Sequence, residues 1–266
     1  MEIEWALVVF TALTGCGGLM AACIAIDLFL GKTKNSNKLA CIVDIIILGV
    51  GGCTSVLHLQ HPTRILNALS QPTSGIFVEA VLVGLCALSI FILFIMMVRN
   101  ASATAQKIVG VIGAALGLLL AFMAGHSYMM GSIPAWCTYL LPTGYLLTSV
   151  PAGVAAYIVV LALKHEDTDT LAFYGKVLLC GGILALVGAA AYGISASAAQ
   201  VAPWWIASAL IGGVVSGACG FAIMKKPENA LTYGVIALAC ALIGSLIYRI
   251  YMWLSGVAAV NFFGNM

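Results

Sequence analysis

The sequence predicts an all-α polytopic membrane protein, a bundle of eight transmembrane helices. Of its 266 residues, 63% are hydrophobic and only 8% are Asp, Glu, Lys or Arg. A soluble domain of this length needs more charge to cover its surface. The apolar stretches are continuous rather than alternating, which favours helical spans over the strands of a membrane barrel.

The predicted spans follow from the rule that about 20 apolar residues cross the hydrocarbon. They cover residues 5–30, 39–58, 76–98, 108–130, 143–163, 171–195, 204–224 and 230–256. The N-terminal MEIEW is acidic and no clean small-residue cleavage site follows it, so we expect a first transmembrane helix rather than a cleaved signal peptide. Residues 1–266 are predicted to form a single transmembrane helical domain.

Small residues predict how the helices pack. Helix-spaced glycines allow close approach of neighbouring helices, and two such sets occur: Gly110, Gly113 and Gly117, and Gly213 and Gly217. Nine cysteines lie in the apolar segments without a CxxC pair. We therefore interpret them as packing residues and expect no metal site in this chain.

Lysine and arginine positions predict the orientation of the bundle, because cytoplasmic loops carry the excess of these residues. Nine of the eleven fall on one side, namely Lys32, Lys34, Lys38, Arg99, Lys107, Lys164, Lys176, Lys225 and Lys226. Only Arg64 and Arg249 fall on the other side. Both termini are therefore predicted to lie outside the cytoplasm. Asp27 and Asp44 are placed near the lysines and are expected to be exposed or paired carboxylates.

The polar groups of the outer half predict the chemistry. His58, His61 and Arg64 lie within LHLQHPTR after the second span, and Glu79 begins the third. Oxidation of a quinol releases two electrons and two protons, and histidine and glutamate are suited to accept and relay those protons. Arg249 is a candidate to set the charge of the site and the orientation of the quinol. The aromatic side chains of Tyr128, Trp136 and Tyr139 are candidates to pack along the quinol ring.

Each candidate also has a structural interpretation. His58 could bond a backbone carbonyl at a helix end, and His61 could be a surface or docking residue. Arg64 could be an interfacial arginine, and Glu79 and Arg249 could form a buried ion pair. His126 could ligate a haem or be a secondary residue, but a two-haem arrangement needs four suitable histidines and His165 lies on the other side. We expect no haem.

Two other functional classes remain open, a small-solute transporter and a haem-bearing quinol-oxidising cytochrome. We see no inverted repeat or broken pair of spans of the kind that transporters use. The net charge of only +2, without a basic stripe, argues against nucleic acid as a partner.

Four segments resemble the membrane anchor subunit of the dimethyl sulfoxide reductase family, a relative of the polysulfide-reductase anchors. SVLHLQHPTRILNAL at 55–69 is similar to the family's LHL-x-x-P-x-R-x-x-N pattern, and IFVEA at 76–80 to the segment that carries its glutamate. IPAWCTYLLPTGYLLT at 133–148 and IGSLIYRIYMW at 243–253 resemble its tryptophan loop and its arginine-bearing last span. His61 departs from the small or polar residue expected there.

The resemblance implies more than the spacing does. It implies an anchor in the bacterial inner membrane that oxidises menaquinol on the periplasmic side, with His58 and Glu79 as catalytic residues. His58, Arg64, Tyr128, Trp136, Tyr139 and Arg249 would bind the quinol. It also implies two partners, a four-cluster iron–sulfur subunit that receives the electrons and a molybdenum bis-pterin subunit that reduces the terminal acceptor.

Overall fold

The computed structural model describes residues 3–34, 36–56, 74–196 and 202–264, with side chains described as far as residue 256. Eight helices in this part are long and apolar enough to cross a membrane, which confirms the predicted fold class. They are α1 (Trp5–Leu30), α2 (Ser36–Val56), α3 (Gly75–Val98), α4 (Ala103–His126), α5 (Leu140–Leu163), α6 (Thr168–Ser195), α7 (Ala202–Lys225) and α8 (Ala230–Gly264).

Helices α3 and α4 begin before the apolar stretches that predicted them, and a serine side chain caps the N-terminus of each. The Ser102 hydroxyl accepts a hydrogen bond from the Ala105 amide at 3.3 Å, so α4 begins five residues before the predicted span. The Ser74 hydroxyl caps α3 in the same way, at 3.2 Å from the Phe77 amide. The predicted end of α4 was four residues too late, because the chain leaves the helix after His126 and places Tyr128 in the following loop.

Helix α1 lies at the centre of the first half of the bundle, packed against α2, α4 and α5. Buried residues make up 78% of its apolar stretch, against 28% in α2 and in α3. Gly18 of α1 meets Gly117 of α4 so closely that a methyl group on either would overlap the other's backbone. This contact confirms the close packing predicted for the α4 glycines.

In the second half of the bundle, helices α6, α7 and α8 also pack closely through glycines. Gly213 and Gly217 of α7 face Gly182 of α6, which confirms the second predicted glycine set. A π-helical stretch, Ala209–Val215, interrupts α7 where Gly212 approaches Gly244 of α8. Beside it the Ser208 hydroxyl donates to the Gly244 carbonyl at 2.7 Å.

The two aspartates expected near the lysines are both buried inside the bundle. Asp27 is paired: its carboxylate accepts hydrogen bonds from Thr33, from Asn37 at 2.8 Å and from Tyr174 at 3.2 Å. Asp44 is neither exposed nor paired, because neither of its carboxyl oxygens has a hydrogen-bond partner among the described residues. The expectation for Asp44 was therefore wrong.

Candidate functional site

The candidate site lies at the end of the bundle opposite the lysines, where α3 and α5 begin and α4 and α8 end. Glu79 occupies the second turn of α3 and is only 5% exposed. Gly75, one turn earlier, faces Ser127 without a side chain between them. The Ser127 hydroxyl lies near the Glu79 carboxyl. The same hydroxyl also donates to the Met123 carbonyl at 2.9 Å.

Four aromatic side chains pack on one another at the same end of the bundle, and we call Tyr128, Trp136, Tyr145 and Trp253 the aromatic cluster. The Tyr128 ring centroid lies 6.1 Å from those of Trp136 and Tyr145 and 5.7 Å from that of Trp253. The Trp136 and Trp253 rings meet edge to face at 5.5 Å. The Trp136 indole N–H donates to the Met252 carbonyl at 2.8 Å, which fixes this ring against α8. The cluster is therefore a rigid apolar wall with one phenol near its surface.

Tyr128 links the aromatic cluster to the charged groups. Burial and then the carboxyl of Glu79 raise the pKa of the Tyr128 phenol above its usual value, while Arg249 acts in the opposite direction. Tyr128 is half-buried, whereas Trp136, Tyr145 and Trp253 are buried. A substrate that approaches the cluster therefore meets a neutral phenol close to a buried acid.

Arg249 has a different setting from the one predicted. It is fully buried, and its guanidinium lies 4.5 Å from the centre of the Tyr145 ring. Its Nε donates to Thr11 Oγ1 at 2.8 Å, and its Nη2 donates to Thr11 O at 2.9 Å and to Ser149 Oγ at 3.3 Å. Its Nη1 donates to the carbonyl of Ser245 at 2.9 Å and to the hydroxyl of the same residue.

These five hydrogen bonds occupy all five N–H donors of the Arg249 guanidinium. In this structure no guanidinium donor is left to contact a quinol directly, and a contact between Arg249 and the substrate stays a prediction. Within the described residues Glu79 and Arg249 form no salt bridge, which removes the ion-pair interpretation. Arg249 instead joins α8 to α1 and α5 and supports the Tyr145 face of the aromatic cluster.

Tyr139 and His126 lie apart from the aromatic cluster. The Tyr139 side chain is 68% exposed, and its ring lies 6.5 Å from that of His126. The His126 ring also packs 6.3 Å from Phe122. The structure therefore brings Glu79, Tyr128 and Trp136 together and leaves Tyr139 at the edge, next to the residue predicted to be secondary.

The predicted residues His58, His61 and Arg64 lie outside the described residues. The chain is described up to Val56, at the end of α2, and again from Ser74, which caps α3. In the part that is described, no group of three or more His, Cys, Asp and Glu side chains is arranged to hold a metal ion.

Comparison with known proteins decides the family. A sequence profile of the DMSO reductase anchor subunit (DmsC) matches residues 1–254. The protein belongs to the DMSO reductase anchor subunit family. This confirms the resemblance carried by the four segments, and it favours an anchor subunit over the transporter considered from composition.

Individual members of the family are distant relatives. Over 197 residues the protein is 24% identical to the C subunit of anaerobic dimethyl sulfoxide reductase from Escherichia coli (strain K12), with 69% of this sequence and 65% of the relative covered. Over 213 residues it is 27% identical to the YnfH subunit of the same organism, with 74% and 72% covered. The C subunit from Haemophilus influenzae (strain ATCC 51907 / DSM 11121 / KW20 / Rd) is 24% identical over 172 residues, with 62% and 61% covered. The matches therefore span less than two thirds of the length of the two C subunits.

Three residues of the candidate site were missed by the sequence reasoning: Ser127, Tyr145 and Trp253. Tyr145 and Trp253 lie inside the two segments that carry the resemblance, 133–148 and 243–253. Trp253 is also one helical turn after Arg249 and so shares its face of α8. No sequence pattern pointed to Ser127, because its proximity to Glu79 depends on how the end of α4 packs against the start of α3.

Proposed function

We propose that this chain is the quinol-oxidising membrane anchor of a dimethyl sulfoxide reductase-like complex, with the quinol bound beside Glu79. The observation that carries the proposal is the buried Glu79 carboxyl, next to the Ser127 hydroxyl and the half-buried Tyr128. Acidic side chains inside membrane spans are costly and usually mark a functional site. Family membership makes quinol oxidation the first function to test for this acid.

The bonding around Ser127 suits a group that gains and loses a proton. The hydroxyl has one hydrogen, which it donates to the Met123 carbonyl. A protonated Glu79 can donate to Ser127 Oγ, and an ionised Glu79 can draw the hydroxyl hydrogen away from Met123. Each protonation state of the acid therefore has a possible hydrogen-bond partner in Ser127, which suits a proton acceptor that takes up and releases a proton at every turnover.

The aromatic cluster supports the binding of a flat, apolar ring. Tyr128 offers a half-buried ring near the acid, and the buried rings of Trp136 and Trp253 hold it in place. Arg249 is a positioning residue in this proposal, because it acts through the Tyr145 ring rather than by contact with the quinol.

The electrons leave through partner subunits. Oxidation of menaquinol to menaquinone releases two protons, taken up by His58 and Glu79, and two electrons. An iron–sulfur subunit with four clusters, docked at this end of the bundle, would accept the electrons. A molybdenum bis-pterin subunit would then reduce the terminal acceptor, which makes the assembly an oxidoreductase for anaerobic respiration.

The test is Glu79→Gln in the purified complex. The glutamine keeps the shape of the side chain but cannot accept a proton, so menaquinol-driven reduction should fall about 100-fold. Activity with a reduced viologen, which bypasses the membrane site, should persist, and a quinone analogue should still bind. The matched control is Asp44→Asn, which removes a buried acid far from the cluster and should leave quinol turnover unchanged.

Unchanged quinol turnover in Glu79→Gln would remove this acid from the proton path. Loss of the viologen-linked activity as well, with subunits failing to attach, would make Glu79 a structural residue. His58→Ala should behave like Glu79→Gln, with an assembled complex, a sharp loss of quinol turnover and retained viologen activity. Failure of the His58 variant to assemble would contradict its proposed role.

We also propose the orientation in which both termini and the quinol site face the periplasm across the bacterial inner membrane. Proton release and terminal reduction would then occur on the same side, so turnover would move no net charge across the membrane. Purified complex in liposomes should generate no membrane potential during quinol oxidation, as followed with a potential-sensitive dye. A potential that depends on turnover would overturn this proposal.

A further inference from the structure

A cavity of about 520 Å³ opens at the lysine-bearing end of the bundle, between the start of α2 and the end of α5. Its lining consists of two lysines, Lys38 and Lys164, and two apolar side chains, Leu39 and Ile42. The cationic groups are complementary to an anionic lipid headgroup, and the apolar side chains are complementary to the start of its acyl chains. We propose that this cavity binds the headgroup of an anionic phospholipid.

The two lysines of the cavity differ from most others at this end, which already have partners. Lys38 and Lys164 are exposed, and within the described residues neither forms a salt bridge or a cation–π contact. The partnered lysines are Lys34 with Asp167, Lys32 over Phe173, Lys107 over Phe29 and Lys225 over Phe221. The cavity therefore presents two ammonium groups that have no salt-bridge partner among the described residues.

Among the described residues, the neighbouring carboxylates form no salt bridge with Lys38 or Lys164 and are held by other donors. Glu166 accepts hydrogen bonds from the Ser36 hydroxyl at 2.6 Å and from the Lys34 amide at 3.1 Å. Asp167 pairs with the Lys34 ammonium at 3.0 Å. A phosphodiester is thus the complementary group that a membrane supplies at this depth.

An apolar stripe on α2 continues from the cavity into the bilayer. Ile42, Ile46 and Val50 are spaced one turn apart and are 40%, 57% and 52% exposed. Gly49 adjoins the stripe and has nothing within 4 Å of where a side chain would be. From Ile42 to Val50 the stripe runs about 12 Å along the helix, which is enough to hold the upper part of an acyl chain.

A bound lipid would join two helices that otherwise make few contacts. At the lysine-bearing end, Ser36 at the start of α2 and Lys34 just before it are tied to Glu166 and Asp167 in the loop between α5 and α6. A phosphate bound by both Lys38 on α2 and Lys164 on α5 would add a further link between these two helices. We therefore expect the lipid to stabilise this end of the bundle.

The experiment measures lipid binding by the purified complex with native mass spectrometry in mixed micelles. Phosphatidylglycerol should bind more tightly than phosphatidylcholine. Lys38→Gln/Lys164→Gln should weaken phosphatidylglycerol binding about 25-fold, from roughly fivefold for each lysine near an anionic headgroup. The matched control is Lys176→Gln/Lys226→Gln, which removes the same charge from exposed lysines outside the cavity and should change binding less than twofold.

Equal weakening by both double variants would overturn the proposal, and so would equal binding of the two lipids by the parent complex. Displacement of phosphatidylglycerol by millimolar inorganic phosphate would show an anion site instead of a lipid site. If the Gln variant fails to assemble, Lys38→Arg/Lys164→Arg keeps the charge and should retain the lipid. Loss of the lipid in an assembled Arg variant would contradict the charge-based argument.

Discussion

The setting of Arg249 predicts that Arg249→Lys destabilises the protein rather than removing a substrate contact. Lysine keeps the positive charge but has three donors in place of five, and its ammonium lacks the planar fork that reaches both α1 and α5. At least two of the bonds to Thr11, Ser149 and Ser245 are therefore lost.

The expected magnitude follows from the bonds that are lost. A hydrogen bond from a charged donor contributes about 1.5 kcal/mol or more to stability, so two lost bonds lower the free energy of unfolding by about 3 kcal/mol. This changes the ratio of folded to unfolded protein by roughly 100-fold. Gly15→Ala should also destabilise the protein without changing any charge, because its methyl group would overlap the Ser149 hydroxyl beside Arg249.

The assay is unfolding in mixed micelles with increasing dodecyl sulfate, followed by tryptophan fluorescence. Trp136 and Trp253 report on the region, since both belong to the aromatic cluster that Arg249 supports through Tyr145. The folded fraction of Arg249→Lys should retain quinol turnover per molecule within a fewfold. The reasoning is refuted if this variant unfolds within about 0.5 kcal/mol of the parent, as a surface substitution would, yet loses quinol turnover and keeps viologen activity.

Two further pairs of variants test the structure. Tyr128→Ala should lower menaquinol turnover at least about tenfold in a steady-state assay, because a ring near the acid is lost. Tyr139→Ala, at the exposed edge, should leave turnover nearly unchanged. Equal effects of the two variants would contradict the assignment of Tyr128, and not Tyr139, to the site. Asp27→Asn should lower the free energy of unfolding by about 2 kcal/mol, because a carboxylate with three donors is lost. Asp44→Asn exchanges one unpartnered group for another, so an equal loss of stability there would contradict this account.

The membrane-spanning architecture could be predicted from the sequence because it depends on local properties. An apolar stretch of sufficient length must form a helix in lipid, whatever it later packs against. The close approach at Gly117 and at Gly213 was predictable for a similar reason, since helix-spaced small residues leave room for a neighbouring backbone. Glu79 was recognisable as a candidate because an acid within an apolar span is costly wherever it lies.

The partners of each polar side chain were decided only by the tertiary structure. Asp27 and Asp44 lie at similar distances from the lysines in the sequence. The loop after α1 and helices α2 and α6 bring donors to Asp27, whereas Asp44 is left without a partner among the described residues. Arg249 resembled a substrate-binding residue until Thr11 and Ser149, far away in the sequence, were found to occupy its donors. The sequence by itself determined which segments cross the membrane, since hydrophobicity is a property of each segment. The packing of helices distant in sequence decided which polar groups remain free to act.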